Sequence, residues 1–256
     1  MSFAANLARI REQMSNACRR ANRSDSGSEV ALMAVSKMHP AEAVMEAYAA
    51  GLRLFGENRV QEWQEKLSVL LPDFDATRSG LSTGSPSTQH FADAEFHLIG
   101  PLQSNKTSRA AELFHAIDSV DSLKIATRLD TAAGALDKKL PILIEVKLSH
   151  EASKHGIDPA DLPALLAALA PLESLLPSGL MTVPPWSQDP EPARPYFREL
   201  RRLRDASLAA CPTLTGLSMG MSNDFTVAIE EGSTCVRIGT ALFGKRQYPP
   251  APAAGE

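Results

Sequence analysis

Lys37 ends a short apolar run, Leu32-Met33-Ala34-Val35-Ser36-Lys37. A lysine at the tip of a buried strand has two readings. Its ammonium group can snorkel into water while its stem covers apolar surface. Alternatively it sits in a dry pocket, where desolvation disfavours the charged form and lowers the pKa. The neutral amine is the form that condenses with an aldehyde. Two later stretches supply complementary chemistry: Ser218-Met219-Gly220-Met221-Ser222 and Arg237-Ile238-Gly239-Thr240. They offer hydroxyls, one arginine, and glycines that let backbone N–H groups approach an anion closely. The same glycines also suit tight turns that need positive φ. With Lys37, the two stretches describe a site for a phosphate-bearing aldehyde.

Regular elements must bring these pieces together. Phe3, Leu7, Ile10, Met14 and Cys18 recur at helical spacing over residues 3 to 21. The strand ending at Lys37 follows. Pro40 opens a helix over Ala41 to Ala50, stopped by Gly51. Leu52 to Gly56 reads as a strand, and Glu57-Asn58-Arg59 opens a helix running to Leu71. Residues 73 to 93 change character, with Thr77 to Thr88 almost free of apolar side chains, and read as a long surface loop. Strands are predicted at Phe96–Gly100, Ala116–Val120, Pro141–Val146, Gly179–Val183, Leu217–Met219 and Cys235–Gly239, the last continued by Thr240 to Phe243. Helices are predicted at Asn105–Leu113, after a cap at Asp121, at Pro159–Ala170, at Glu191–Ala210 and at Phe225–Glu231.

Apolar runs alternating with helices imply βαβ units and a parallel sheet. Eight such runs in about 220 residues fit a closed (β/α)8 TIM barrel with an extra N-terminal helix. A doubly wound open sheet competes, but no G-x-G-x-x-G follows the first strand. In a barrel, chemistry collects at the C-terminal ends of the strands, and anions bind after the seventh and eighth. Lys37, Asn58, His97, Gly100, Thr182, Ser218 and Gly239 all fall near such ends.

The 256 residues carry a net charge of −4 and a pI near 5.9, which gives no sign of nucleic-acid binding. Cys18, Cys211 and Cys235 are too few and too scattered for a disulfide framework or a metal cluster. No apolar run reaches transmembrane length, and the N-terminus lacks a signal h-region. The expectation is a cytoplasmic protein with no membrane or nucleic-acid partner. It is one barrel domain over residues 1–246, with a surface loop at 73–93 and a flexible tail at 247–256. It is expected to be a monomer, because an isolated barrel closes its own core.

Lys37, Gly56-Glu57-Asn58-Arg59-Val60-Gln61-Glu62, His97-Leu98-Ile99-Gly100-Pro101-Leu102-Gln103-Ser104-Asn105-Lys106, Gly179-Leu180-Met181-Thr182-Val183-Pro184, Leu217 to Ser222 and Arg237 to Gly244 occur together and in order. In these motifs the chain closely resembles the pyridoxal phosphate homeostasis protein family, from about Val30 to Gly244. The resemblance implies a barrel like the N-terminal domain of alanine racemase, with pyridoxal 5'-phosphate as cofactor. Lys37 would form the internal aldimine. Ser218 and its neighbours Met219 and Ser222, with Gly239 and Thr240, would hold the phosphate. Arg237 would face the pyridine nitrogen and Asn58 would lie near the ring. Lys154, in Ser153-Lys154-His155-Gly156, matches a second lysine pattern near the mouth; His97 and Thr182 are further candidates at strand ends. The implied role is intracellular supply of the cofactor, by buffering it or delivering it to apo-enzymes, without catalytic turnover. The chain departs from the family at Lys147, where asparagine is usual, and in the length of the 73–93 loop.

An amino-acid racemase using the same cofactor is the alternative. Racemisation needs acid–base groups on both faces of a carbanion. Lys37 could serve one face. The family's racemase relatives take the second base, a tyrosine, from a further β domain. Here Tyr48 and Tyr196 fall in outer helices and Tyr248 in the tail. A guanidinium beside the pyridine nitrogen would keep that nitrogen unprotonated and weaken the ring as an electron sink. A third reading is a partner-binding barrel using Arg194, Arg198, Arg201, Arg202 and Arg204. Interspersed Glu191, Glu199 and Asp205 make that stretch a solvated face.

Overall fold

The spaced apolar positions near the N-terminus form helix α1 (Phe3–Arg20), which buries Phe3, Leu7, Ile10, Met14 and Cys18. The Ser2 hydroxyl caps it by accepting the Ala5 N–H. The computed structural model describes residues 2–23, 30–70, 91, 93–149, 151 and 155–244. The loop read over 73–93 lies outside the described residues except at Phe91 and Asp93, as do Lys154 and the 247–256 tail.

After α1 the elements run β1 (Ala31–Val35), α2 (Ala41–Ala49), β2 (Leu54–Glu57), α3 (Val60–Leu70), β3 (Glu95–Leu98) and α4 (Thr107–Leu113). They continue with β4 (Ala116–Val120), α5 (Leu123–Ala135), β5 (Leu140–Glu145), α6 (Leu162–Leu169), β6 (Leu175–Met181) and α7 (Arg194–Ser207). The chain closes with β7 (Gly216–Ser218), α8 (Phe225–Glu230), β8 (Cys235–Ile238) and α9 (Thr240–Phe243). The strands form a closed parallel barrel in sequence order, the expected (β/α)8 architecture. Strands of a closed barrel are covered on both faces: every residue of β4 is buried, Asp118 and Ser119 included.

The closing seam positions the site. β1 pairs with β8 so that Met33 lies opposite Arg237 and Ala34 opposite Ile238. The turn after the first strand therefore adjoins the turn after the last, although some 200 residues separate them in a closed barrel. Helix α1 packs beside this seam. Asn6 Nδ2 donates to the Leu242 carbonyl at 3.0 Å, and the Phe3 and Phe243 rings lie 5.4 Å apart.

Three local expectations change. Thr240 to Phe243 is a helical turn and does not extend the strand. Gly239, at φ −110° and ψ −83°, leaves β geometry, and its carbonyl accepts from Leu242 and Phe243 N–H groups. Ser122, one residue beyond Asp121, caps α5 by accepting the Ile125 N–H at 3.4 Å. The long arginine-rich helix opens with a 3-10 turn at Glu191–Ala193 and ends at Ser207. Among the described residues, no helix is long and apolar enough to cross a membrane.

Candidate functional site

The turn after β1 is held by polar contacts from α3. Lys66 Nζ donates to the Ser36 carbonyl at 2.8 Å and to Glu57 Oε1 at 2.7 Å. It also pairs with Glu62 at 2.9 Å, and Glu62 accepts the Met38 N–H. Ser36 Oγ donates to Glu57 Oε1 at 2.7 Å. Met38 takes φ +60°, a left-handed conformation uncommon outside glycine. Lys37 is thus presented by a turn clamped on both sides. Burial raises the Glu57 pKa, against the opposing pull of Lys66 and Ser36.

Lys37 itself is half-buried, not enclosed in a dry pocket. Its Nζ donates to Asn58 Oδ1 at 3.3 Å. Gly100 buttresses that asparagine: a Cβ there would lie 2.3 Å from the Asn58 carbonyl oxygen and 2.7 Å from Asn58 Cγ. No side chain fits at Gly100 unless Asn58 moves.

Arg237, on β8, is buried. Its Nη1 donates to the Ser218 carbonyl at 2.6 Å and to Ser218 Oγ at 2.7 Å. Its Nη2 donates to the Thr182 carbonyl at 2.8 Å. These contacts fix the fork in one orientation. Burial pulls its pKa down, and the carboxylates of Asp118, Glu145 and Asp224 oppose that pull. A guanidinium stays protonated regardless.

The turn after β7 needs Gly220, which has φ +97° and whose Cβ would meet Ala228 Cβ at 2.5 Å. Asp224 Oδ1 accepts the Met221 N–H at 2.6 Å, and burial raises that carboxyl's pKa. Ser222 Oγ accepts the Ala241 N–H at 3.1 Å, tying this turn to α9.

These turns enclose a cavity of about 530 Å³ at the C-terminal ends of the strands. Lys37, Asn58, Arg237, Ser222, Gly239 and Thr240 line it. Asp224, Glu145, His155 and the exposed Trp186 also line it, and sequence reasoning missed them. Lys147 is not among the lining residues.

Ser218, Met219, Thr182 and His97 stand elsewhere. Met219 is fully buried, and its N–H donates to the Cys235 carbonyl at 3.1 Å. Thr182 is buried, its hydroxyl donating to the Val146 carbonyl at 2.9 Å. Ser218 and His97 line a smaller cavity of about 190 Å³ with Asp118 and Cys235. That cavity adjoins the first residues of β2, β4 and β7, the opposite end of the barrel. The reason is strand alternation: neighbouring side chains on a strand face opposite ways, so closeness to a strand end does not place a side chain in the mouth. Ser218 and Thr182 reach the site through Arg237, which they hold in place.

His97 bonds to the next strand and nears a carboxylate of its own strand: Nδ1 lies 3.0 Å from Asp118 Oδ1 on β4 and Nε2 3.6 Å from Glu95 Oε2 on β3. Burial opposes charging the ring, but the two carboxylates outweigh it and lift the pKa to about 9. Burial pushes the nearby Cys235 thiol up to about 12, which leaves it inert at neutral pH. Among the described residues, no group of His, Cys, Asp and Glu side chains could hold a metal ion.

The chain resembles known proteins over nearly its whole length. Residues 5–247 match the family model described as alanine racemase, N-terminal domain. The chain is 43% identical to the pyridoxal phosphate homeostasis protein of Pseudomonas aeruginosa, covering 99% of each chain. It is 39% identical to the protein of that name in Aquifex aeolicus, covering 97% of this chain and 100% of the other. The solved structure of PipY from Synechococcus elongatus with PLP bound is 39% identical, with a TM-score of 0.76 over 95% of this chain and 100% of that one.

Proposed function

This chain belongs to the pyridoxal phosphate homeostasis protein family, and on that premise we propose that it binds pyridoxal 5'-phosphate covalently at Lys37 and maintains the cell's supply of it. One observation carries the reading. A primary amine, a buried guanidinium and a turn rich in N–H and hydroxyl groups share one cavity of about 530 Å³. Pyridoxal phosphate carries three matching handles: an aldehyde, a ring nitrogen and a phosphate. When bound, it supplies an aldehyde that condenses with a primary amine and releases water.

Each residue then has a task. Lys37 offers the amine, and Asn58 orients it. Ser222, Gly239 and Thr240 hold the phosphate at the turns after β7 and β8. Arg237 presents a fixed positive charge toward the ring nitrogen, with Ser218 and Thr182 positioning the guanidinium. A positive charge there withholds the proton that transaminases and decarboxylases need on that nitrogen.

That arrangement supports storage and delivery over turnover. None of the described tyrosines lines the mouth: Tyr48 bonds Asp93 and Tyr196 lies on α7. We place the protein in the cytoplasm, as a monomer in one barrel domain that hands the cofactor to apo-enzymes. The test is transfer. Loaded protein mixed with an apo-transaminase should activate it. Production of the D-isomer from an L-amino acid above ~1 per second, an ordinary enzymatic rate, would favour a racemase instead.

A further inference from the structure

Two of the motif stretches singled out in the sequence are scarcely used by the mouth: Arg59-Val60-Gln61 and Gln103-Ser104-Asn105-Lys106. They meet at a second cavity of about 570 Å³ lined by Arg59, Gln61, Gln103 and Lys106. This cavity shares Asn58 and Pro101 with the mouth, so the two lie side by side, with the Lys37 partner between them.

The cavity's lining carries one sign of charge. Acidic residues outnumber Lys and Arg by 30 to 26 in the chain, and several cations are held by carboxylates. Arg194 contacts three of them, and Arg109, Arg53 and Lys66 each contact at least one. Arg59 and Lys106 have no side-chain hydrogen bond or ion pair among the described residues. No carboxylate lines the cavity among the described residues. Two cations and three amides with no internal counter-charge suit a doubly charged oxyanion. An arginine fork and a lysine point charge are the usual phosphate binders. Both cations are at least partly exposed, so salt screens them and binding is weak and brief.

We propose that this cavity is an outer binding site for a phosphate monoester, occupied by the phosphorylated cofactor on its way to or from Lys37. This rests on the reading of the mouth given above. Clefts lined by one sign of charge raise local ligand concentration and on-rates about tenfold or more.

The test uses the double variant Arg59→Gln/Lys106→Gln, with each single variant as a check on folding. Inorganic phosphate is first titrated calorimetrically into the protein as purified. The double variant should lose one saturable phosphate site relative to wild type. Loading of pyridoxal 5'-phosphate and of unphosphorylated pyridoxal is then followed by stopped-flow absorbance. The variant should load the phosphorylated form about tenfold more slowly, with unchanged final yield and an unchanged rate for pyridoxal. An unchanged phosphate titration, or equal loading rates for the phosphorylated form, would overturn the proposal. Failure of wild type to form any borohydride-trapped adduct would strike the mouth reading instead, and the phosphate titration would still judge the outer site.

Discussion

Lys37 Nζ donates to Asn58 Oδ1 across 3.3 Å, joining the turn after β1 to the turn after β2. Gly100 makes that contact possible, because any Cβ at Gly100 would overlap Asn58. Gly100→Ala should therefore displace Asn58 and mimic its loss. Both Gly100→Ala and Asn58→Ala should weaken cofactor binding about tenfold, the effect of one hydrogen bond of about 1.4 kcal/mol. Equilibrium titration of the visible band measures this. Unchanged affinity in Gly100→Ala would show that Asn58 does not orient the lysine.

The clamp beneath Lys37 is a buried ion pair. Lys66→Met would strand the fully buried Glu57 carboxylate. Breaking one side of such a pair costs about 3–5 kcal/mol. Urea unfolding should report that loss, and adding Glu57→Gln should restore much of it. A loss below about 1 kcal/mol would mean that the pair is dispensable.

His97 should make stability depend on pH. Its pKa rises from 6.5 to about 9 on folding. The stabilisation is complete below pH 6.5 and is lost as pH climbs through about 9. Across that window stability should fall by at most about 1.4 kcal/mol per pH unit. His97→Gln should flatten the slope between pH 6.5 and 9. An equal slope in the variant would assign the dependence to another group.

Arg237 holds Ser218 and Thr182 through three hydrogen bonds in a buried setting. Arg237→Gln should cost at least about 2 kcal/mol, because buried acceptors lose their donor. It should also alter the absorbance of bound cofactor by freeing the ring nitrogen to take a proton. An unaltered spectrum would argue that the guanidinium does not face the ring.

The barrel was legible because its strands are short, apolar and punctuated, and because eight repeats leave few alternatives. Lys37, Asn58, Ser222, Gly239 and Thr240 were legible because they lie in turns beyond strand ends, where sequence position alone fixes proximity to the mouth. Ser218, Thr182 and His97 were misplaced because which way a side chain faces depends on register, and register is a property of paired strands. The Glu57–Lys66 clamp was not legible: the residues stand nine apart, and only the crossing of α3 behind β2 joins them. Gly100 and Asp224 act through backbone contacts, which leave no spacing signal. The one signal available for the clamp was Ser36, a polar residue in an apolar run directly before Lys37.

Borohydride reduction of the loaded protein, followed by peptide mass mapping, tests the central claim most directly. The expected result is a single phosphopyridoxyl adduct on Lys37, absent from Lys37→Ala. An adduct on a different lysine, or one that persists in Lys37→Ala, would contradict it.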